Sequence, residues 1–93
     1  MTNKLNLIRK DKAQATYACG KTLFQQKINE GLVPPPIKLG LRAVAFYEQE
    51  INATLAVTIA GYTDEQIKEF VKGLVAKRKN LLAQYTHLEA AND

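Results

Sequence analysis

Apolar residues recur at helical spacing through most of this 93-residue chain, and strict alternation is confined to a short stretch around Gly40. Phe24 and Ile28 stand four residues apart, so they stack on one face of a helix predicted from Lys21 to Asn29 or Glu30, with Leu23 at its edge. Gly31 ends it. Upstream, an acidic N-cap and Ala-rich sequence predict a short helix from Asp11 to Ala18. Cys19-Gly20 separates the two, with Gly20 free to take the left-handed backbone that lets the second helix leave steeply. Residues 1–8 are expected to be an arm whose Leu5, Leu7 and Ile8 tuck onto the core.

Beyond Gly31 the pattern changes. Leu32-Val33 leads into Pro34-Pro35-Pro36, which neither continues a helix nor sits in a central strand, so it predicts a rigid extended elbow. Ile37-Lys38-Leu39, the turn Gly40-Leu41-Arg42, and Ala43-Val44-Ala45-Phe46 then read as a small β-hairpin. Its alternation places Ile37, Leu39, Val44 and Phe46 toward the helices and leaves Lys38 and Arg42 outward.

Two longer helices follow. One is predicted from Tyr47 to Ala60, with Ile51, Leu55 and Ile59 in one stripe and Gly61 as its stop. The next starts at Thr63, which forms a capping box with Gln66, while Tyr62 is placed to staple against Ile67. It is expected to reach about Leu88. Its Ile67, Val71, Leu74, Arg78, Leu81, Tyr85 and Leu88 alternate spacings of four and three, a heptad seam broken once by Arg78. Such a seam either pairs two copies of the chain or packs back on its own domain, so Ile67, Val71, Leu74, Leu81 and Tyr85 are candidate homodimer contacts.

Charge divides this frame into two halves. Residues 1–46 carry eight Lys and Arg against Asp11 and Glu30, a balance of +6; residues 47–93 carry five against seven acidic groups, a balance of −2. This suggests a basic half that meets a polyanion and a second half doing something else, and a merely solvated basic surface is the equal alternative from charge alone. The single Cys19 rules out an internal disulfide and fits a reducing cytoplasm; no secretory signal is expected at the N-terminus. The apolar runs are too short to span a bilayer.

Helix, turn and helix followed by a basic hairpin is a winged helix-turn-helix pattern, and it suits duplex DNA. On the outer side of the second helix stand Lys21, Thr22, Gln25, Gln26 and Asn29, all hydrogen-bond donors, with no acidic residue before Glu30. Lys21 and Thr22 suit phosphate or base edges, and Gln25 and Gln26 suit the bidentate amide–adenine pairing. Arg42 at the hairpin tip can enter a minor groove or clamp phosphate, with Lys38 and Arg9 adding backbone contacts. Catalytic chemistry is thinly represented. His87 lies near the C-terminus, Cys19 reads as a small core residue, and no metal-ligand cluster, phosphate loop or nucleophile–base pair is present in the pattern. No enzyme activity, metal or cofactor is expected.

The segment from Gly20-Lys21-Thr22-Leu23-Phe24 through Ile28-Asn29-Glu30-Gly31-Leu32 resembles the recognition helix of AlpA-type phage regulators. The stretch Pro35-Pro36-Ile37-Lys38-Leu39-Gly40-Leu41-Arg42-Ala43-Val44-Ala45-Phe46 is similar to that family's wing, and Glu50-Ile51 to the acidic-aliphatic pair of its next helix. The similarity continues through Ile59-Ala60-Gly61, Asp64-Glu65-Gln66-Ile67 and Arg78-Lys79. Departures are Gly20 and Lys21 where the family usually has serines, Gln25 at a tyrosine position and Phe46 at the wing's tryptophan.

The resemblance implies a MerR-like winged-helix domain encoded by a prophage or other mobile element in bacteria, cytoplasmic and nucleoid-associated. It implies a regulator of integrase or excision genes, or an excisionase that bends attachment-site DNA, with RNA polymerase or an integrase as protein partner. The expected organisation is a DNA-binding domain over residues 1–61 and a C-terminal helix for packing or oligomerisation over 62–90. A protein-interaction module working through its last helix is the third reading.

Overall fold

The computed structural model describes residues 5–84. In order these form β1 (Leu7–Ile8), α1 (Lys10–Thr16), α2 (Lys21–Asn29), β2 (Ile37–Lys38), β3 (Val44–Tyr47), α3 (Glu48–Ile59) and α4 (Asp64–Ala76). After a turn at Lys77 the chain is helical again over 78–84. Helices dominate, with one small antiparallel sheet in the order β1-β3-β2. This is a winged helix-turn-helix arrangement with an added C-terminal helix. The expected end of the last helix, near Leu88, lies outside the described residues.

Both the α1–α2 turn and the arm differ from expectation. The left-handed residue of the turn is Ala18, at φ 53°, while Gly20 is extended and serves as the N-cap of α2. The reason lies at the end of α1, which closes two residues early. The Tyr17 N–H donates to the Ala13 and Gln14 carbonyls and the Ala18 N–H to that of Ala15, so the reversal falls at Ala18. The arm does more than tuck. Leu7 and Ile8 pair with Tyr47 and Phe46 as a third strand, and among its described apolar residues only Ile8 is buried, Leu5 and Leu7 staying exposed.

Being central, β3 is covered on both faces. Residues opposite each other in an antiparallel ladder share a face. Phe46 and Ile8 therefore face the helices, where they join Ala13, Phe24, Val33 and Ile51 in the main core, with Tyr17, Cys19 and Ile28 packed around it. Phe24 contacts Phe46 edge-on at 5.6 Å between ring centroids, and Tyr17 tilts against Phe24 at 5.8 Å. Burial, and behind it the neighbouring Cys19, pushes the Tyr17 phenol up to about 12, so it stays neutral in the core. Ala45 and Tyr47 are buried on the opposite face, with Tyr47 closing the strand rather than opening α3. Leu39 and Val44, expected inward, are exposed because the β2–β3 ladder spans only Ile37↔Ala45 and Lys38↔Val44 and both residues lie at its outer end.

The stripe of α3 is also rotated. Ile51 is buried and Leu55 half-buried, but Ile59 is 77% exposed, and Glu50 and Thr54 are buried instead. Gly31 (φ 82°) and Gly61 (φ 93°) end α2 and α3 in the same way. Each is followed by an N–H that reaches back five residues, Leu32 to Lys27 and Tyr62 to Val57, the Schellman closure that a left-handed glycine permits. The Thr63–Gln66 capping box is present in both directions, at 2.9 and 3.2 Å. Tyr62, the expected staple, remains exposed.

Ile67 and Val71 form a second core with Leu32, flanked by Val57 and Val75. The seam thus packs on its own domain at these two positions, one of the two roles open to it. Leu74 and Leu81 are half-buried, and Tyr85 lies outside the described residues. Arg78, the break in the seam, points inward. Its Nε and Nη2 donate to the two carboxylate oxygens of Glu50 at 2.7 and 2.6 Å, and Nη2 also donates to the Pro35 carbonyl at 2.9 Å. Glu50 is only 4% exposed. The bonds to Glu50 raise the Arg78 pKa above its already high ordinary value, so the guanidinium is permanently charged.

Two stability predictions follow from these contacts. Arg78→Ala leaves a buried carboxylate without its partner and should cost about 3 kcal/mol in urea unfolding. The Glu50→Leu/Arg78→Met double variant should recover most of that, whereas a single-variant loss under about 1 kcal/mol would put the pair among screened surface bridges. Ala18→Gly relieves a left-handed Cβ and should raise stability by about 1 kcal/mol, seen as a higher urea midpoint at unchanged slope.

Candidate nucleic-acid interface

Lys21, Thr22, Gln25, Gln26 and Asn29 of α2 are all exposed, and together with Lys10 they line one shallow hollow. This follows from the core contacts. Phe24 is buried and Ile28 packs against the core, which turns the opposite face of α2 outward. Lys10, the first residue of α1, is the member that sequence reasoning missed. Its Nζ donates to Gln25 Oε1 at 2.6 Å, and Gln25 Nε2 donates to Asn29 Oδ1 at 3.0 Å. Gln25 is therefore held at both ends, keeping one lone pair and one N–H for a ligand, and Asn29 keeps both of its N–H donors. Gln26 differs, since its Nε2 donates to Glu30 Oε2 at 3.2 Å. That carboxylate marks the limit of the donor-rich face.

A second hollow adjoins the first through Lys10. Arg9, Lys10, Asp11, Arg42, Ala43 and Val44 line it, so the wing tip meets the start of α1. Asp11 is its one acidic member, and its Oδ1 accepts the Lys12 N–H at 2.9 Å. Among the described residues Arg9, Lys21 and Arg42 enter no ion pair. Lys12 sits 3.9 Å from Glu48, on the far edge of the basic region. Lys38 belongs elsewhere. It is exposed on β2 and borders a third, apolar hollow beside Leu5, Leu7, Ile37 and Leu81. Seven of the eight sequence-predicted contacts thus gather around Lys10, and Lys38 does not.

The N-terminus of α2 adds backbone donors to this surface. Gly20 caps it without a side-chain hydrogen bond, so the first-turn N–H groups are left to a ligand or to water. Cations, amide donors and open N–H groups on one face have the chemistry that suits an anion carrying hydrogen-bond acceptors. Among the described residues no group of three or more His, Cys, Asp and Glu is placed to hold a metal ion, and no helix is long and apolar enough to cross a membrane.

Residues 7–56 match the family model described as Prophage CP4-57 regulatory protein (AlpA), just over half of the chain. The chain belongs to the AlpA family of prophage regulatory proteins. We found no match among curated proteins or solved structures. The family match runs from β1 into α3, so it contains both hollows that Lys10 joins and stops short of α4. It is narrower than the resemblance traced above, which extended to Lys79.

Because the Lys10–Gln25 hydrogen bond lies at the exposed surface, Lys10→Ala should leave stability within about 0.5 kcal/mol of the parent. The same change should shift the Gln25 side-chain amide signals in a nitrogen–proton correlation spectrum; unchanged signals would mean that the Lys10–Gln25 bond is not formed in solution.

Proposed function

We propose that this AlpA-family protein binds duplex DNA and regulates transcription of prophage or other mobile-element genes, including those for integration and excision. The observation that carries the reading is the convergence of Arg9, Lys10, Lys21, Arg42 and the Gln25–Asn29 amides on one exposed surface. In this reading α2 enters the major groove. Its open N–H groups and Lys21 meet phosphate, while Gln25 and Asn29 present amides to base edges. The wing lies alongside, Arg42 and Arg9 fixing the position on the backbone without reading sequence.

One module of this size gives a small interface, so specific sites need two copies, on adjacent repeats or through a dimer. With Ile67 and Val71 buried in the chain's own core, adjacent repeats are the better supported arrangement. RNA polymerase or an integrase would be met by the face away from DNA. The burial of those same two residues counts against a module whose last helix is its main working surface. An architectural role as an excisionase uses the same DNA surface and is favoured by one feature of the wing taken up below.

Gel shifts on promoter and attachment-site fragments at several salt concentrations test the reading. Arg42→Ala should weaken binding to all sequences alike and lower the slope of log affinity against log salt by about one. Gln25→Ala should leave the slope unchanged and relax preference at one base pair by about 1–3 kcal/mol. Both variants binding like the parent would displace the interface from this surface.

A further inference from the structure

Leu41, at the tip of the wing, is 102% exposed, a full leucine side chain standing free of the protein. The loop that holds it is short and closed at its base, where the Leu39 and Gly40 N–H groups both donate to the Ala43 carbonyl at 2.8 and 3.3 Å. Leu41 therefore projects from a fixed point. Leu39 and Val44 are also exposed but stand at the base of the loop, so at the tip itself Leu41 is alone between Gly40 and Arg42. Its immediate neighbour is Arg42, across the hollow from Arg9 and Lys10.

Neither the core nor solubility explains that leucine. A lone apolar residue inside a cationic setting is poorly suited to an apolar protein groove, whose rim would have to bury Arg42 as well. It suits a polyanion that has an apolar interior, which is what a stack of base pairs is. Cations bring the tip to the phosphates, and the leucine then has somewhere dry to go.

We propose that Leu41 is a wedge that enters the minor groove and inserts at a base-pair step, partly unstacking it and kinking the duplex. Minor-groove architectural proteins use apolar side chains in this way and bend DNA by tens of degrees. Flexible pyrimidine–purine steps unstack most cheaply, so the wedge would confer a preference for such a step beneath the wing, at a position no polar side chain contacts. The inference rests on the duplex-binding reading, and it assigns to the wing a mechanical part that the charged residues cannot play.

The test uses the full chain and a duplex recovered by it from a randomised library, labelled at its ends for energy transfer and carrying 2-aminopurine at successive steps beneath the wing. The parent should shorten the end-to-end distance and brighten 2-aminopurine at one step. Leu41→Ala should bind with an unchanged salt slope and an affinity lower by roughly tenfold or less, and should lose both the bend and the brightening. Leu41→Phe, still a wedge, should restore them. Binding by Leu41→Ala with the bend and the brightening intact would overturn the wedge while leaving the duplex reading standing. A parent that recovers no duplex would overturn both.

Discussion

The Glu50–Arg78 pair with its third bond to Pro35 is the constraint on which the arrangement of this protein depends. A carboxylate buried near the start of α3 is costly by several kcal/mol unless its charge and lone pairs are met, and one guanidinium meets both oxygens side-on. The remaining geometry of that guanidinium joins two segments 43 residues apart, the C-terminal helix and the proline elbow. The elbow is where the chain leaves α2 and begins the wing. Its Val33 and Pro34 are buried, so the start of β2 is fixed from beneath by packing and from the side by Arg78. A two-residue strand such as β2 has little stability of its own. The position of the wing is therefore set by contacts distant from it in sequence.

That dependence explains what could and could not be read from the sequence. The bounds of α2, the stop at Gly31 and the Thr63 capping box are local events, fixed by neighbours within five residues, and each is legible. The exposed face of α2 was legible for the same reason, since Phe24 and Ile28 alone decide which side turns inward. Pairing of Leu7-Ile8 with β3 is not local, and without it β3 reads as an outer strand with one buried face. The covered second face, with Ala45 and Tyr47 inside, follows only once three strands are assembled. Ile59 fits a helical stripe as well as Ile51 does, but stripes do not say where the sheet ends. Glu50 had a signal that apolar counting overlooks: an arginine interrupting an apolar seam needs a buried acceptor, and Arg78 is such an arginine.

The candidate interface divides along the same line. The five α2 residues lie on one helix, so their grouping needed no tertiary information. Lys10 belongs to another helix and becomes part of the surface because the turn at Ala18 brings the start of α1 beside Gln25. Lys38 has the opposite history. Alternation placed it on the face away from Phe46, but the register pairs it with Val44, on the face of Phe46, where it is exposed only because β2 is an edge strand, and it does not share a surface with the tip of its own hairpin.

The charge asymmetry of the chain then acquires a structural meaning. The positive half supplies the surface, namely α1, α2 and the wing, and the negative half supplies the frame that holds it, namely α3 and α4. Within the frame an ion pair has its acid inside the family-matched segment and its base outside it, and the same guanidinium reaches the positive half through the Pro35 carbonyl. The matched segment carries every candidate DNA contact yet contains a buried carboxylate that it cannot itself neutralise. The added helix is thus a structural requirement of this chain before it is anything else.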